Sequence, residues 1–217
     1  MDGWNVIREA LPHLFKGALT TLEITSISLV IAMFIGLSMG LLRVSNSRLL
    51  RFAATFYVDL IRGTPLLVQI LFIYIGVPSA FGIRLSEFTA GVFAISINAG
   101  AYLVEIFRAG IESINRGQME AGRSLGFSYW QSMRLVILPQ AVRTMTPAFV
   151  NQFIISLKDT SLLSVIGIAE LLMQGQSIYA VNFRAMEILG TVAVFYFVII
   201  YTLTLFSRWL ERRIAAA

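Results

Sequence analysis

The sequence predicts an all-α integral membrane protein with about five transmembrane helices in a single domain over residues 1–217. Hydrophobic residues make up 57% of the chain and charged residues 13%, whereas soluble domains carry about 25% charged residues. The mean hydropathy is +0.78, and several apolar runs approach the roughly 20 residues that a helix needs to cross a bilayer. The chain contains no cysteine, which excludes disulfides and cysteine-ligated metals.

The predicted spans follow the apolar runs in order. They cover about residues 20–43, 49–77, 86–113, 141–157 and 185–208. In the second span, Pro65 removes a backbone donor and Gly63 permits close backbone approach, so we expect the helix to loosen there. The fourth span is short and is followed by Lys158 and Asp159, which predicts a broken extension over residues 158–172.

The residues before the first span predict a separate short helix. Apolar and polar side chains are interspersed between Trp4 and Leu14, a pattern typical of an amphipathic helix at the membrane surface. Lys16 and Gly17 are then expected to turn the chain into the membrane.

The distribution of basic residues predicts the orientation of the spans. One side of the predicted spans receives ten arginines: Arg43, Arg48, Arg51, Arg116, Arg123, Arg134, Arg143, Arg208, Arg212 and Arg213. The other side receives five basic residues: Arg8, Lys16, Arg84, Lys158 and Arg184. By the positive-inside rule the first set is cytoplasmic. The N-terminus is therefore predicted outside, and the C-terminus and the polar loop over residues 114–140 in the cytoplasm.

This loop carries the most specific motif of the chain. The motif residues are Glu120, Ala121, Gly122, Gly126, Val136, Leu138 and Pro139. Their order resembles the EAA loop of ABC importer permeases, whose consensus is E-A-A, three residues, G, nine residues and I-x-L-P. The spacing agrees throughout; Gly122 replaces the second alanine and Val136 replaces the isoleucine.

The resemblance implies the type I ABC importer permease fold, in which this loop forms a short cytoplasmic coupling helix in a groove of a separate ATPase subunit. The residues implied in that contact are Gly117, Glu120, Ala121, Gly122, Gly126, Leu138 and Pro139. Phe127, Tyr129 and Trp130 add aromatic anchors of the kind enriched at binding hot spots. The alternative is an amphipathic helix lying on the lipid, which the two glycines and the few large apolar residues disfavour.

Three further motifs place polar residues at membrane depth, where ionisable side chains are costly and are functional candidates. They read R-G-T-P-x-L-x-Q over residues 62–69, N-A-G-A-Y-x-x-E over residues 98–105 and K-D-T-S-L over residues 158–162. All three are similar to motifs of the polar amino acid subfamily of ABC permeases. The predicted substrate-binding residues are Asp59, Gly63, Thr64, Asn98, Tyr102, Glu105, Gln152, Lys158, Asp159 and Thr160.

Each group also has a structural interpretation. Asp59 and Arg62 lie three residues apart on one helical face and are close enough to form an ion pair. The polar residues of the second motif share a face that suits interhelical hydrogen bonds at a subunit interface. Asp159 could pair with Lys158 or cap the following turn.

The resemblance implies the membrane-spanning subunit of an ATP-driven importer for polar amino acids that works by alternating access. Asp59, Glu105 and Asp159 favour a cationic substrate (arginine, lysine or histidine), because an acid without a basic partner would bind a cationic side chain. The alternative is glutamine or glutamate on the same machinery. A secondary amino acid transporter is disfavoured because the chain shows no inverted repeat, and a scaffold subunit would not need acids at membrane depth.

The chain is not expected to be an enzyme. A Walker A motif needs Gly-Lys, and the only two lysines, Lys16 and Lys158, follow Phe15 and Leu157. No cofactor or metal is expected in this chain, and ATP and Mg²⁺ are expected on a partner ATPase present in two copies.

The other expected partners are a second permease copy or a paralogue, with a homodimer as the default, an extracytoplasmic amino acid-binding protein, and the bilayer of a prokaryotic cell (inner) membrane. No nucleic acid partner is expected. A weaker signal predicts an outward-facing loop where the binding protein docks; its polar residues are Glu170, Gln174 and Gln176.

Overall fold

The computed structural model describes residues 3–43, 45 and 47–215, and every regular element in these residues is helical. The α-helices are α1 (Gly3–Arg43), α2 (Arg48–Arg62), α3 (Leu66–Leu71), α4 (Val77–Phe81), α5 (Glu87–Glu112), α6 (Arg116–Ser124), α7 (Tyr129–Ser132), α8 (Leu138–Asp159), α9 (Leu171–Asn182) and α10 (Ala185–Ala215). The π-helical turns Phe72–Gly76 and Met133–Ile137 precede α4 and α8, and the 3-10 helix Thr160–Ile166 follows α8. Among the described residues, α1, α5 and α10 are long and apolar enough to span a membrane.

Helix α1 is one continuous helix of 41 residues, so the predicted turn at Lys16 and Gly17 is wrong. The N-terminal part of α1 does not lie apart as a surface helix, because its apolar side chains form a core with α9 and α10. The buried members of that core are Val6, Ala10, Leu14, Ala18, Leu171, Ile188 and Val192. Gly17 serves this packing, since a Cβ there would lie 2.9 Å from the Cα of Leu171.

The predicted second span is broken at residues 63–65. Helix α2 and the segment from α3 to α4 meet at an angle of 108° and qualify as a membrane-spanning pair only when taken together. Pro65 has no amide donor and disfavours a helical conformation of Thr64, which explains why the break falls there. The predicted loosening is confirmed, and it takes the form of a sharp bend between two helices.

Helix α5 is the buried centre of the chain and agrees with the third predicted span, residues 86–113. Its N-terminus is capped by Ser86, whose hydroxyl accepts from the Thr89 amide at 3.1 Å. Small residues let neighbouring helices approach closely; those buried on α5 include Ala90, Gly91, Ala94, Ser96, Ala99, Gly100 and Ala101. Since α1, α2, α3 and α8 all contact α5, this helix holds the polar motifs together.

Helix α8 corresponds to the fourth predicted span. It runs for 22 residues, and Arg143 and Lys158 near its ends make it less apolar than the three long helices. After Asp159 the chain continues as the 3-10 helix. This helix ends at Gly167, which has a φ of 86°. The predicted interruption is therefore a change of helix type. The fifth span begins at Ala185 as predicted and extends beyond residue 208.

Candidate functional site

Helices α5 and α8 border an open cavity of about 480 Å³. Three of the predicted substrate-binding residues line it: Tyr102, Glu105 and Gln152. The other polar lining residues are Arg62, Thr144 and Asn151. A cavity that combines an apolar wall with a few polar groups is typical of a small-molecule site.

Arg62 reaches this cavity from the end of α2. Its guanidinium carbon lies 5.3 Å from the centre of the Tyr102 ring, a distance that suits a cation–π interaction. Among the described residues no ion pair joins Arg62 to Asp59, so the structural pair considered for these residues is not formed. Asp59, Gly63 and Thr64 are exposed at the α2–α3 corner.

Gln69 ties the α2–α3 corner to α5. Its Nε2 donates to the Ile61 carbonyl at 2.8 Å and to the carbonyl and hydroxyl oxygens of Thr64 at 3.1 and 2.9 Å. Its Oε1 accepts from Nδ2 of Asn98 at 3.0 Å. Gln69 was missing from the predicted site, although it ends the R-G-T-P-x-L-x-Q motif. The amide of Asn98 is therefore engaged in holding the corner.

The carboxylate of Glu105 forms ion pairs with two arginines. It pairs with Arg43 at the end of α1 and with Arg108, whose Nη2 lies 2.8 Å from Oε2 of Glu105. Arg108 also pairs with Glu112 at 2.5 Å. Glu105 is thus not an acid without a basic partner, which removes one support for a cationic substrate.

The K-D-T-S-L motif lies beyond the cavity, at the C-terminal end of α8. Thr160 is fully buried and its hydroxyl donates to the Leu157 carbonyl at 2.7 Å. Asp159 is half-buried and makes no capping hydrogen bond to the 3-10 helix, so the predicted cap is not formed. No ion pair among the described residues joins it to Lys158. The structure therefore does not bring these three residues to the residues that line the cavity.

Glu170 lies in the protein interior, not on an outward-facing loop. Its side chain is 0% exposed. Its carboxylate accepts from the amides of Leu172 and Met173 at 2.9 and 2.7 Å and from the Tyr196 hydroxyl at 2.9 Å. Glu170 thus caps α9 and fastens it to α10. The prediction that this acid belongs to a docking surface is wrong.

The predicted coupling helix is present as α6. Asn115 caps its N-terminus by accepting from the Gly117 amide at 2.8 Å. At its C-terminus the amides of Gly126 and Phe127 donate to the carbonyls of Arg123 and Gly122 at 3.0 and 3.2 Å, the two hydrogen bonds of a Schellman motif. The motif requires the φ of 88° that Gly126 adopts.

The outer surface of the loop is exposed. Leu125 is 78% exposed and Trp130 is 73% exposed, and Tyr129 packs edge-to-face against Trp130 with ring centres 5.7 Å apart. The motif residues that are also exposed are Gly117, Glu120, Ala121, Gly126, Leu138 and Pro139. Gly122 is buried, so the prediction that it faces a partner's groove is wrong.

The chain is similar to two transport permeases and to one chain of a solved transporter. It is 48% identical over 211 residues to the glutamine transport system permease protein GlnP of Escherichia coli (strain K12), covering 97% of this chain and 96% of that one. It is 34% identical over 204 residues to the arginine transport system permease protein ArtQ of Bacillus subtilis (strain 168), covering 94% and 93%. A chain of a crystallised amino acid ABC transporter with histidines superposes with a TM-score of 0.93 at 40% identity, covering 98% and 99%.

A family model for the inner membrane component of binding-protein-dependent transport systems matches residues 32–216. This range contains the cavity, the α2–α3 corner and the whole of loop 114–140. The helical fold, the loop geometry and the family model agree, and the chain belongs to the family of binding-protein-dependent transport system inner membrane components.

Proposed function

We propose that this chain is the membrane-spanning subunit of an ATP-driven importer for polar amino acids and that it works by alternating access. The observation that carries the proposal is the cavity between α5 and α8, because its wall combines apolar side chains with a few polar ones in a member of a transport family. Both permeases compared above and the superposed transporter are named for amino acids, which supports this substrate class.

Glutamine is the first substrate to test. The cationic hypothesis needs an acid without a basic partner. Among the described residues that line the cavity, Glu105 is the one acid, and it is paired with two arginines. The amides of Asn151 and Gln152 suit a neutral amide side chain, and Arg62, which makes no ion pair with a described residue, suits the substrate's carboxylate. The higher identity to a glutamine permease than to an arginine permease supports the same order.

Uptake by the complete transporter in proteoliposomes tests the substrate. We expect labelled glutamine to accumulate at least tenfold faster than arginine, and Gln152→Leu to reduce glutamine uptake because it removes an amide from the cavity wall. Asn5→Leu, at an exposed position of α1 outside the cavity, is the matched control and should transport normally. Uptake of arginine, lysine or histidine without glutamine would reverse the substrate order. An absence of uptake for all of them would contradict the amino acid proposal.

The proposed partners follow from the same family. Loop 114–140 would contact an ABC ATPase subunit, which binds ATP and Mg²⁺, and its exposed Leu125, Tyr129 and Trp130 supply the large side chains that such a contact needs. A binding protein would deliver the substrate from outside. We propose two copies of this chain and two of the ATPase, because one copy leaves the α5–α8 cavity open; native mass spectrometry of the purified complex tests this stoichiometry.

The proposed orientation places α6 in the cytoplasm and the α9–α10 turn outside. The chain has no cysteine, so single cysteines can be introduced without a background. Val181→Cys, at a position 79% exposed, is expected to react with a membrane-impermeant maleimide in intact cells. Gln118→Cys on α6 should react only after permeabilisation. The reverse labelling pattern would invert the topology.

A further inference from the structure

We propose that Gly122 and Ser132 form a rigid joint that fastens the coupling helix α6 to the segment leading into α8, with Ser132 as the positioning residue. The proposal rests on the coupling function of loop 114–140 and deepens it. It names the contact inside this chain through which movement of α6 reaches the helix that lines the cavity.

A side chain at position 122 would lie closer to Ser132 than an ordinary van der Waals contact allows. A Cβ built on Gly122 would lie 2.8 Å from Oγ of Ser132 and 3.1 Å from its Cβ. Rotation of the Ser132 hydroxyl would relieve only the first contact. The second is tighter than nine in ten real Cβ contacts, so a methyl group here would push α6 and α7 apart by a few tenths of an ångström. Gly122 is also the position at which the chain departs from the E-A-A consensus, so this departure fits the contact with Ser132.

Ser132 contributes to the joint by its small volume. It is 0% exposed, and its hydroxyl has no hydrogen-bond partner among the described residues. An unpaired buried hydroxyl lowers the stability of the fold, so hydrogen bonding does not explain why serine occupies this position. A small side chain beneath Gly122 does explain it, because a larger one would not fit under the backbone of α6.

The segment after Ser132 leads directly to the cavity. The start of α7 is fixed by a capping box between Ser128 and Gln131. From Ser132 the π-helical turn continues without a break into α8. Gln152 lies on the cavity wall, roughly 20 Å along α8 from its start at Leu138. Because Ser132 stays in contact with α6, a displacement of α6 moves α7, the π-helical turn and α8 together as one rigid unit.

Variants at the two positions test the joint in the complete transporter. In Gly122→Ala the methyl group displaces α6, so we expect the amount of amino acid imported per ATP hydrolysed to fall at least fivefold. Adding Ser132→Gly removes the atoms that the methyl group meets, and the double variant should return to within twofold of the unmodified protein. The Ser132→Gly single variant completes this double-mutant cycle. The yield of assembled complex is measured for each variant.

Three outcomes would overturn the proposal: an unchanged import ratio in Gly122→Ala, a double variant as impaired as the single one, or a loss explained wholly by fewer assembled complexes. The last would make the contact a folding contact only. If the unmodified chain neither assembles with an ATPase nor couples import to hydrolysis, the proposed function itself fails, which is a separate result.

Discussion

Glu170→Ala is expected to destabilise the folded chain by at least about 3 kcal/mol. The substitution leaves the amides of Leu172 and Met173 and the hydroxyl of Tyr196 without their acceptor in the partly buried contact between α9 and α10. Each unsatisfied buried group costs about 1–3 kcal/mol. Such a loss corresponds to a fall in melting temperature of roughly 6–12 °C for a chain of this size, which thermal unfolding of the purified protein measures.

Two other variants give this prediction its controls. Glu170→Gln retains one acceptor oxygen, so its loss of stability should lie between those of the unmodified chain and the alanine variant. Glu187 is a partly exposed acid that pairs with Arg184 at 2.9 Å, and surface ion pairs contribute at most about 1 kcal/mol. Glu187→Ala should therefore unfold within a few degrees of the unmodified chain. Equal melting temperatures for both alanine variants would show that Glu170 does not fasten α9 to α10.

Gly126→Leu is expected to abolish transport while the chain still inserts and folds in the membrane. Gly126 has a φ of 88°, and a side chain in this left-handed conformation costs about 1–2 kcal/mol. The Schellman end of α6 would unwind and displace Leu125, which is part of the proposed ATPase contact. The packed helices in the membrane would keep their structure, because a Cβ on Gly126 has no heavy atom within 4 Å.

Gly190→Leu is the matched control for this variant. Gly190 also has no heavy atom within 4 Å of an added Cβ, but it lies in helix α10 with a negative φ, so leucine is tolerated there. We expect substrate uptake to be lost in Gly126→Leu and retained in Gly190→Leu, at equal amounts of membrane-inserted protein. Normal uptake by Gly126→Leu would contradict the role of the loop in coupling.

Elements whose signal is local could be predicted from the chain alone. A run of about 20 apolar residues favours a membrane helix wherever it occurs, and for this reason α5 and the start of α10 were predicted closely. The break at residues 63–65 was also predictable, because proline acts on the backbone of its own neighbours. The resemblance of loop 114–140 to the EAA loop implied a short helix in this segment, and α6 is that helix.

The site could be predicted only in part. The sequence placed Tyr102, Glu105 and Gln152 at membrane depth, and the structure places all three on one cavity. It did not reveal that Asn98 is held by Gln69 or that Thr160 is buried away from that cavity. The helical repeat of the sequence predicts which residues share a face of one helix, but it does not predict which other helix packs against that face.

Tertiary packing decided the remaining features, and the physical reason is the same in each. Helix α1 continues through Gly17 because α9 and α10 cover its N-terminal part. Glu170 is buried because the backbone of α9 and the hydroxyl of Tyr196 satisfy its carboxylate. A long hydrophobic run favours a membrane helix through its own composition, whereas the burial of a carboxyl group or the continuation of α1 past Gly17 depends on groups far away along the chain.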